Sequence, residues 1–421
     1  MRRPLAIAIG DPAASIAEVL DHRLLRAGAR PIAVALSGGG DSVALLLAAR
    51  AWAQAHGRRL LVLTLDHGLR PESGAWTQAC AARAAGLGLA FRALAWKGDK
   101  PATGLPAAAR AARHRLLAQA AREAGARVIL LGHTADDILE AQAMRADGAS
   151  VSSPREWGPS PAWPDGRGIF LLRPMLGLRR AALRQWLAGQ GETWIEDPAN
   201  DDLTYARARA RARLGPAATI RPALAEASAS DLALATITDP AGALLIPRHR
   251  LRAVAPQALA RFVSIACVCA AGTDRPPAPA RVRRLAEALG GAGPLTATLG
   301  GSRITADDAQ VRFSREAGRA GLPSARLEPG ETCVWDGRFE IAADRAFEVR
   351  PLAGLSAALL GPEREALRVL PPDERPTLPA LVDATGRAAC PALVRNDGVR
   401  LESLTQTRLL AASGVVSSEP A

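Results

Sequence analysis

The stretch IAVALSGGGDSVALLLAARAW, residues 32–52, joins an apolar, strand-like run to an apolar helical pattern through three glycines flanked by Ser37, Asp41 and Ser42. Gly38, Gly39 and Gly40 leave backbone N–H groups free of Cβ obstruction. Where a strand ends and a helix begins, such groups converge at the positive end of the helix dipole and form an anion site. A tight turn alone would explain the glycines, but not Ser37, Asp41 and Ser42 together. The spacing is not G-x-x-x-x-G-K-[ST], so no lysine of the loop reaches the outer phosphates of a nucleotide. Ser37 and Ser42 offer hydroxyls instead, and Asp41 would organise the loop or a hydrated metal.

Around this junction, apolar runs at 31–36, 60–66, 89–95 and 127–132 alternate with helical patterns at 42–56, 73–86 and 104–124. That alternation predicts an α/β fold with a doubly wound, Rossmann-like parallel sheet. Ligands of such sheets bind at the carboxyl ends of the strands. A helix over 13–27 precedes the alternation, and another from Asp136 to about Arg145 follows it. The Gly-, Ser- and Pro-rich segment 147–168 reads as a mobile loop or lid. Beyond it come a strand at GIFLLRP, a helix over 178–190, and an acidic turn leading past Tyr205 into the arginine ladder Arg207, Arg209, Arg211. Alternate spacing spreads that ladder over a wide arc of a helix. A helical region (221–290) and β-like 295–316 precede a small α+β unit, so domains are expected at 1–218, 219–330 and 331–421.

A formal charge of +12, carried almost wholly by arginine since Lys97 and Lys100 are the only lysines, favours a polyanionic partner, nucleic acid ahead of membrane. Five cysteines without C-x-x-C spacing read as buried free thiols of a reducing compartment. Asp11 and Pro12 interrupt the first apolar run too early for a signal peptide, and no run approaches a membrane span. The expectation is a cytoplasmic protein, with the oligomeric state open between monomer and homodimer.

The first strand and its glycine loop resemble the PP-loop ATP pyrophosphatases, which split ATP between its α- and β-phosphates and adenylate a carbonyl oxygen. The resemblance implies that Ser37 to Ser42 grip the departing pyrophosphate. TLDHGLRPES (64–73), AARAARHRLL (108–117), GHTADDILEAQAMR (132–145), LLRPML (171–176) and WIEDPANDDLTYARARAR (194–211) then resemble, in order, the motifs of the tRNA(Ile)-lysidine synthetase family. That resemblance implies an ATP- and Mg²⁺-dependent ligase joining L-lysine to the wobble cytidine of a CAU-anticodon tRNA(Ile) through an adenylated cytidine. Read physically, Asp41, Asp136 and Asp137 are the candidate carboxylates for metal, with Asp41 and Asp137 preferred, and on the matching positions the resemblance implies Glu140 with Asp137 for lysine. It implies His133 for metal binding or proton handling, Arg113 for charge on the α-phosphate or the adenylated base, and Asp66 for the nucleotide or cytidine side. Arg110, Arg145, Arg207 and Arg211 would contact tRNA. Plainer roles stand beside these: caps for Asp66 and Asp136, a solvated face for Glu140 and the ladder, packing for His114.

The sequence departs from the family at Ile138 and Ala141, at RADGAS in place of an RGSG-like turn, and at Ala208. The departures touch the edge of the lysine or cytidine pocket and leave the ATP loop intact. Two rivals follow: a PP-loop tRNA thiolase, disfavoured because Cys80 is the lone cysteine of the catalytic half, and a non-catalytic tRNA-binding homologue, which the altered turn favours.

Overall fold

Burial alternates along the central strand, Ile32 and Val34 facing one layer and Ala33 the other, because helices cover both faces of the sheet. The computed structural model describes residues 10–149, 151–198, 202, 204, 206–214 and 229–421. It divides into two compact units, 1–225 with 416–421, and 226–415. Most of the residues expected as two further domains, 219–330 and 331–421, fall together in the second unit, while 416–421 belong to the first.

The first unit runs α1 (Pro12–Arg23), β1 (Ile32–Ala35), α2 (Gly40–Ala55), β2 (Leu60–Asp66), α3 (Ser73–Gly86), β3 (Ala90–Ala95), α4 (Leu105–Glu123), β4 (Val128–Leu130), α5 (Ala135–Ala146), β5 (Trp157–Pro159), β6 (Phe170–Leu172), α6 (Arg180–Gly189) and α7 (Ala206–Arg213). The strand order is β3-β2-β1-β4-β6-β5, parallel except for β5. Leu20, Leu45, Leu46, Leu183 and Leu187 pack on one face; Leu117 and Ala121 of α4 pack on the other. The order in which the strands are added reverses between β1 and β4, and the crevice at such a switch point is where doubly wound sheets bind ligands.

A strand replaces part of the expected mobile loop. Within 147–168, β5 pairs antiparallel with β6, Gly158 opposite Leu171. The Trp157 ring stacks on Phe170 at 5.1 Å, and its Nε1 donates to the Val416 carbonyl at 2.8 Å. Aromatic burial and edge pairing order a segment whose composition suggested neither. The tail is tied down as well: the buried Glu419 carboxylate accepts from Arg58 Nη2 at 2.8 Å.

In the second unit the strands Ile237–Thr238, Leu244–Pro247, Gln310–Arg315, Ser302–Ala306 and Leu295–Leu299 form one antiparallel sheet, in that spatial order. Helices Pro256–Ala271 and Pro279–Gly290 share its core. The region expected to be helical, 221–290, therefore also contains two strands, each too short to show a period. Four- and three-stranded sheets follow between 325 and 403. Among the described residues no helix is long and apolar enough to cross a membrane. No disulfide joins the five cysteines, and all but Cys333 are buried.

Candidate active site

The glycine loop closes β1 onto α2 at the switch point. Ser37 N donates to Ser42 Oγ at 3.2 Å, and Ser42 Oγ donates to Gly39 O at 2.8 Å, so the two serines brace the turn from inside. Gly38 holds φ +84°, a left-handed conformation that glycine adopts without Cβ strain. Its carbonyl accepts from Ile195 N at 2.9 Å, and the Trp194 ring lies 3.4 Å from where a Gly40 Cβ would stand. Residues 194–195 thus roof the loop. Gly39 is the N-cap of α2 and provides no side-chain hydrogen bond; Ser42 N and Val43 N donate to its carbonyl, which leaves the N–H groups of Gly40 and Asp41 to face an anion.

Opposite the loop, three carboxylates converge on one guanidinium. Arg180 Nε donates to Asp41 Oδ2 at 2.9 Å and its Nη1 to Glu140 Oε1 at 3.2 Å, with Asp137 Oδ2 3.9 Å from Nη2. Glu140, side chain 1% exposed, also accepts from Arg207 Nε at 2.7 Å and from Arg211 Nε at 2.9 Å. Asp137 closes a capping box on α5: its Oδ2 accepts from Thr134 N at 2.7 Å, while Oδ1 accepts from Arg207 Nη2 at 2.8 Å. Asp136 is a cap, but of α6: it accepts from Arg180 N at 2.7 Å and from Arg179 Nη2 at 3.0 Å.

A divalent cation fits Asp41. Its Oδ1 is buried with no hydrogen-bond partner among the described residues, and burial raises its pKa despite the attraction of Arg180. Among the described residues no group of three or more His, Cys, Asp or Glu side chains could hold a metal. Mg²⁺ uses one or two carboxylates together with substrate phosphates, so a larger protein cage is not required. Both Asp137 oxygens are engaged, and metal binding there would need Arg207 or Thr134 to give way.

A second cluster is cationic. Arg173, 8% exposed, and the half-buried Arg113 each bury an Nε without a partner among the described residues. Burial and mutual repulsion with Arg110 bring both guanidinium pKa values down to about 10. Burial, then Arg173 and Arg113, hold His133 well below the usual histidine value, so its imidazole is neutral near pH 7. His114 is 4% exposed with neither ring nitrogen partnered among the described residues, and burial and Arg113 push it down to about 2. It packs, as its position inside α4 suggested.

The sign of the His114 effect is definite. The unfolded chain takes up this proton near pH 6.5 and the folded chain does not until about pH 2, so stability is retained above pH 6.5 and drains away as pH falls. His114→Phe should remove up to about 1.4 kcal/mol per pH unit of that slope. Thermal melts between about pH 6.5 and pH 4.5 check it; parallel slopes for variant and wild type would mean that the folded protein protonates His114.

The structure therefore brings together Ser37, Asp41, Ser42, Asp137 and Glu140, and gathers Arg110, Arg113 and His133 beside them. Asp66 is occupied locally, its Oδ1 accepting from Gly68 N at 2.7 Å in a turn that precedes α3 without capping it. Arg145 is exposed and donates to Val151 O at 3.0 Å. The reading of the ladder needs correction: Arg207 and Arg211, four apart on α7, share a face and meet Glu140, while Arg209 donates to Thr204 O and Arg213 pairs with Asp147. Tyr205 lies outside the described residues. Sequence reasoning missed Arg173, Arg179 and Arg180. A signal existed for the last two, because arginines opening a helix oppose its dipole unless carboxylates meet them.

An open glycine nest beside a carboxylate cluster at the switch point defines the phosphate-handling end of a PP-loop protein, and residues 12–218 match the PP-loop domain model. Over 409 residues the chain is 48% identical to the tRNA(Ile)-lysidine synthase of Caulobacter vibrioides, covering 95% of this chain and 97% of that protein. It is 36% identical over 337 residues to the enzyme of the same name from Hyphomonas neptunium, covering 76% and 90%. The chain belongs to the tRNA(Ile)-lysidine synthase family. Among solved structures, the U34-tRNA thiolase NcsA of Methanococcus maripaludis aligns with 47% of this chain and 71% of its own at 14% identity, with a TM-score of 0.39. Against the thiolase rival, Cys80 beneath the loop is buried, and burial raises its pKa.

Proposed function

We propose that this chain ligates L-lysine to C2 of the wobble cytidine of a CAU-anticodon tRNA(Ile), consuming ATP. The observation that carries the reading is the convergence of Asp41 and Glu140 on Arg180 beside the open glycine nest. A site for pyrophosphate and a buried carboxylate suited to an ammonium thereby adjoin. In the first step the cytidine O2 attacks the α-phosphorus while the bond to pyrophosphate breaks. The loop N–H groups, Ser37 and Ser42 take the charge that develops on the leaving group, where fixed donors act most strongly. In the second step the lysine ε-amine, having lost its proton, attacks C2, and the C2–O bond breaks to release AMP bearing the former cytidine oxygen. Glu140, helped by Asp137, holds the other ammonium of lysine, and neutral His133 stands by for the proton. Asp41, joined by Asp137 once Arg207 or Thr134 gives way, would hold Mg²⁺, which would supply charge neutralisation on the phosphates.

Arg110, Arg145 and the exposed parts of Arg207 and Arg211 contact RNA phosphates, and the second unit holds the tRNA body, because a one-nucleotide pocket cannot tell one cytidine from all others. A tRNA substrate supports a cytoplasmic location. ATP-dependent transfer of labelled lysine to tRNA(Ile) with a CAU anticodon, and not to the CAU-anticodon methionine tRNA, tests the reading. No transfer with tRNA binding retained would leave a non-catalytic binding protein. Raising salt from about 50 to about 200 mM should weaken tRNA binding by about a hundredfold or more; a flat response would remove the phosphate role of these arginines.

A further inference from the structure

The arginines of the first unit fall into two sets. Arg179, Arg180, Arg207 and Arg211 meet carboxylates. Arg110, Arg113 and Arg173 form no ion pair within 4.0 Å among the described residues, and Arg113 and Arg173 leave buried Nε atoms unpartnered. We propose that Arg173 joins Arg113 and Arg110 in a subsite for a phosphate group at the carboxyl ends of β4 and β6.

Placement carries the proposal. β6 ends at Leu172, in register with Leu130 of β4, so Arg173 stands beside the strand exit that leads to His133. α4 packs against β4 and presents Arg110 and Arg113, three residues apart on one helical face. Arg173 is fixed twice by the segment leading into β5: its N–H donates to Glu156 O at 2.8 Å, and its Nη1 to Arg155 O at 2.8 Å. A guanidinium tethered by a neutral carbonyl keeps its full charge and its remaining donors for a ligand. Three cations gathered in this way repel one another, burial of Arg113 and Arg173 adds to the cost, and Asp137 is the carboxylate that offsets them. A phosphate would discharge the cluster and satisfy the orphaned donors, matching the planar fork of arginine. The segment at 151–159, next to the point where this sequence departs from the family turn, thereby acquires a role, since its carbonyls aim Arg173.

The phosphate could come from the nucleotide or from the RNA backbone. This deepens the ligase reading and takes its two ligands from it, but equilibrium binding separates the two claims. Full-length Arg173→Met and Arg173→Lys would be titrated with α,β-methylene-ATP and, separately, with CAU-anticodon tRNA(Ile). Arg173→Met is expected to weaken one ligand by about tenfold or more, and Arg173→Lys by less, because it keeps the charge but loses the fork. Loss confined to the analogue assigns a nucleotide phosphate. Loss confined to tRNA, with the salt slope reduced by about one, assigns the RNA backbone. Without ligand, Arg173→Met should melt no lower than wild type, since removing one of three like charges relieves repulsion. Wild-type affinity for both ligands in a folded Arg173→Met, or a melt well below wild type in either variant, overturns the proposal by making Arg173 a structural cation. Failure of lysine transfer by the wild type would end the ligase reading and leave these binding results standing.

Discussion

Asp41→Ala should reduce lysine transfer by at least about a hundredfold, the range seen when one fixed electrostatic stabiliser is removed, while tRNA affinity stays within about twofold. Asp41 sits in the first turn of α2, with one oxygen on Arg180 and the other buried without a hydrogen-bond partner among the described residues. A carboxylate left half-satisfied by the protein is suited to a cation that arrives with substrate. Burial raises its pKa, so folding disfavours the ionised form, whereas Arg180 loses a partner but keeps Glu140; the unliganded variant should therefore melt close to wild type. Loss of activity without loss of stability is the pattern of a site residue. Pyrophosphate release, lysine transfer and the melting temperature would be measured on one preparation. Transfer near the wild-type rate would show that Asp41 serves the unliganded loop alone.

What the sequence disclosed follows the range of the interactions. The glycine loop was legible because its chemistry is contiguous: bare N–H groups, two hydroxyls and a carboxylate within six residues, at a strand-to-helix junction. The parallel sheet was legible because each central strand is apolar on both faces. Arg180 was hidden because its partner Asp41 lies 139 residues away, and nothing local says which carboxylate an arginine meets. β5 spans three residues, less than any periodicity can register. Arg207 and Arg211 misled for another reason. Alternation with alanine looks like charge spread around a helix, yet every second step of that ladder is a spacing of four, which returns to the same face. Composition could not reveal that α5 would offer Glu140 to that face.

Those contacts bear directly on Glu140→Gln, expected to raise the KM for lysine by about ten- to hundredfold, equivalent to a charge-assisted hydrogen bond of roughly 1.5–3 kcal/mol. Glu140 is nearly inaccessible and accepts from Arg180, Arg207 and Arg211, so an incoming ammonium must exchange with a guanidinium. Arg207 and Arg211 are best placed to leave. Their side chains are 47% and 32% exposed, against 16% for Arg180, so water or an RNA phosphate can receive them at little cost. The same exposure limits the structural penalty of Glu140→Gln to about 1–3 kcal/mol, because the released arginines rehydrate rather than remain buried and uncompensated. Stability and lysine affinity thus separate the two roles of this carboxylate. A lowered melting temperature with an unchanged lysine KM would make Glu140 only the anchor of α7 on α5. A raised KM with kcat largely kept would mean that the ammonium displaces an arginine at Glu140.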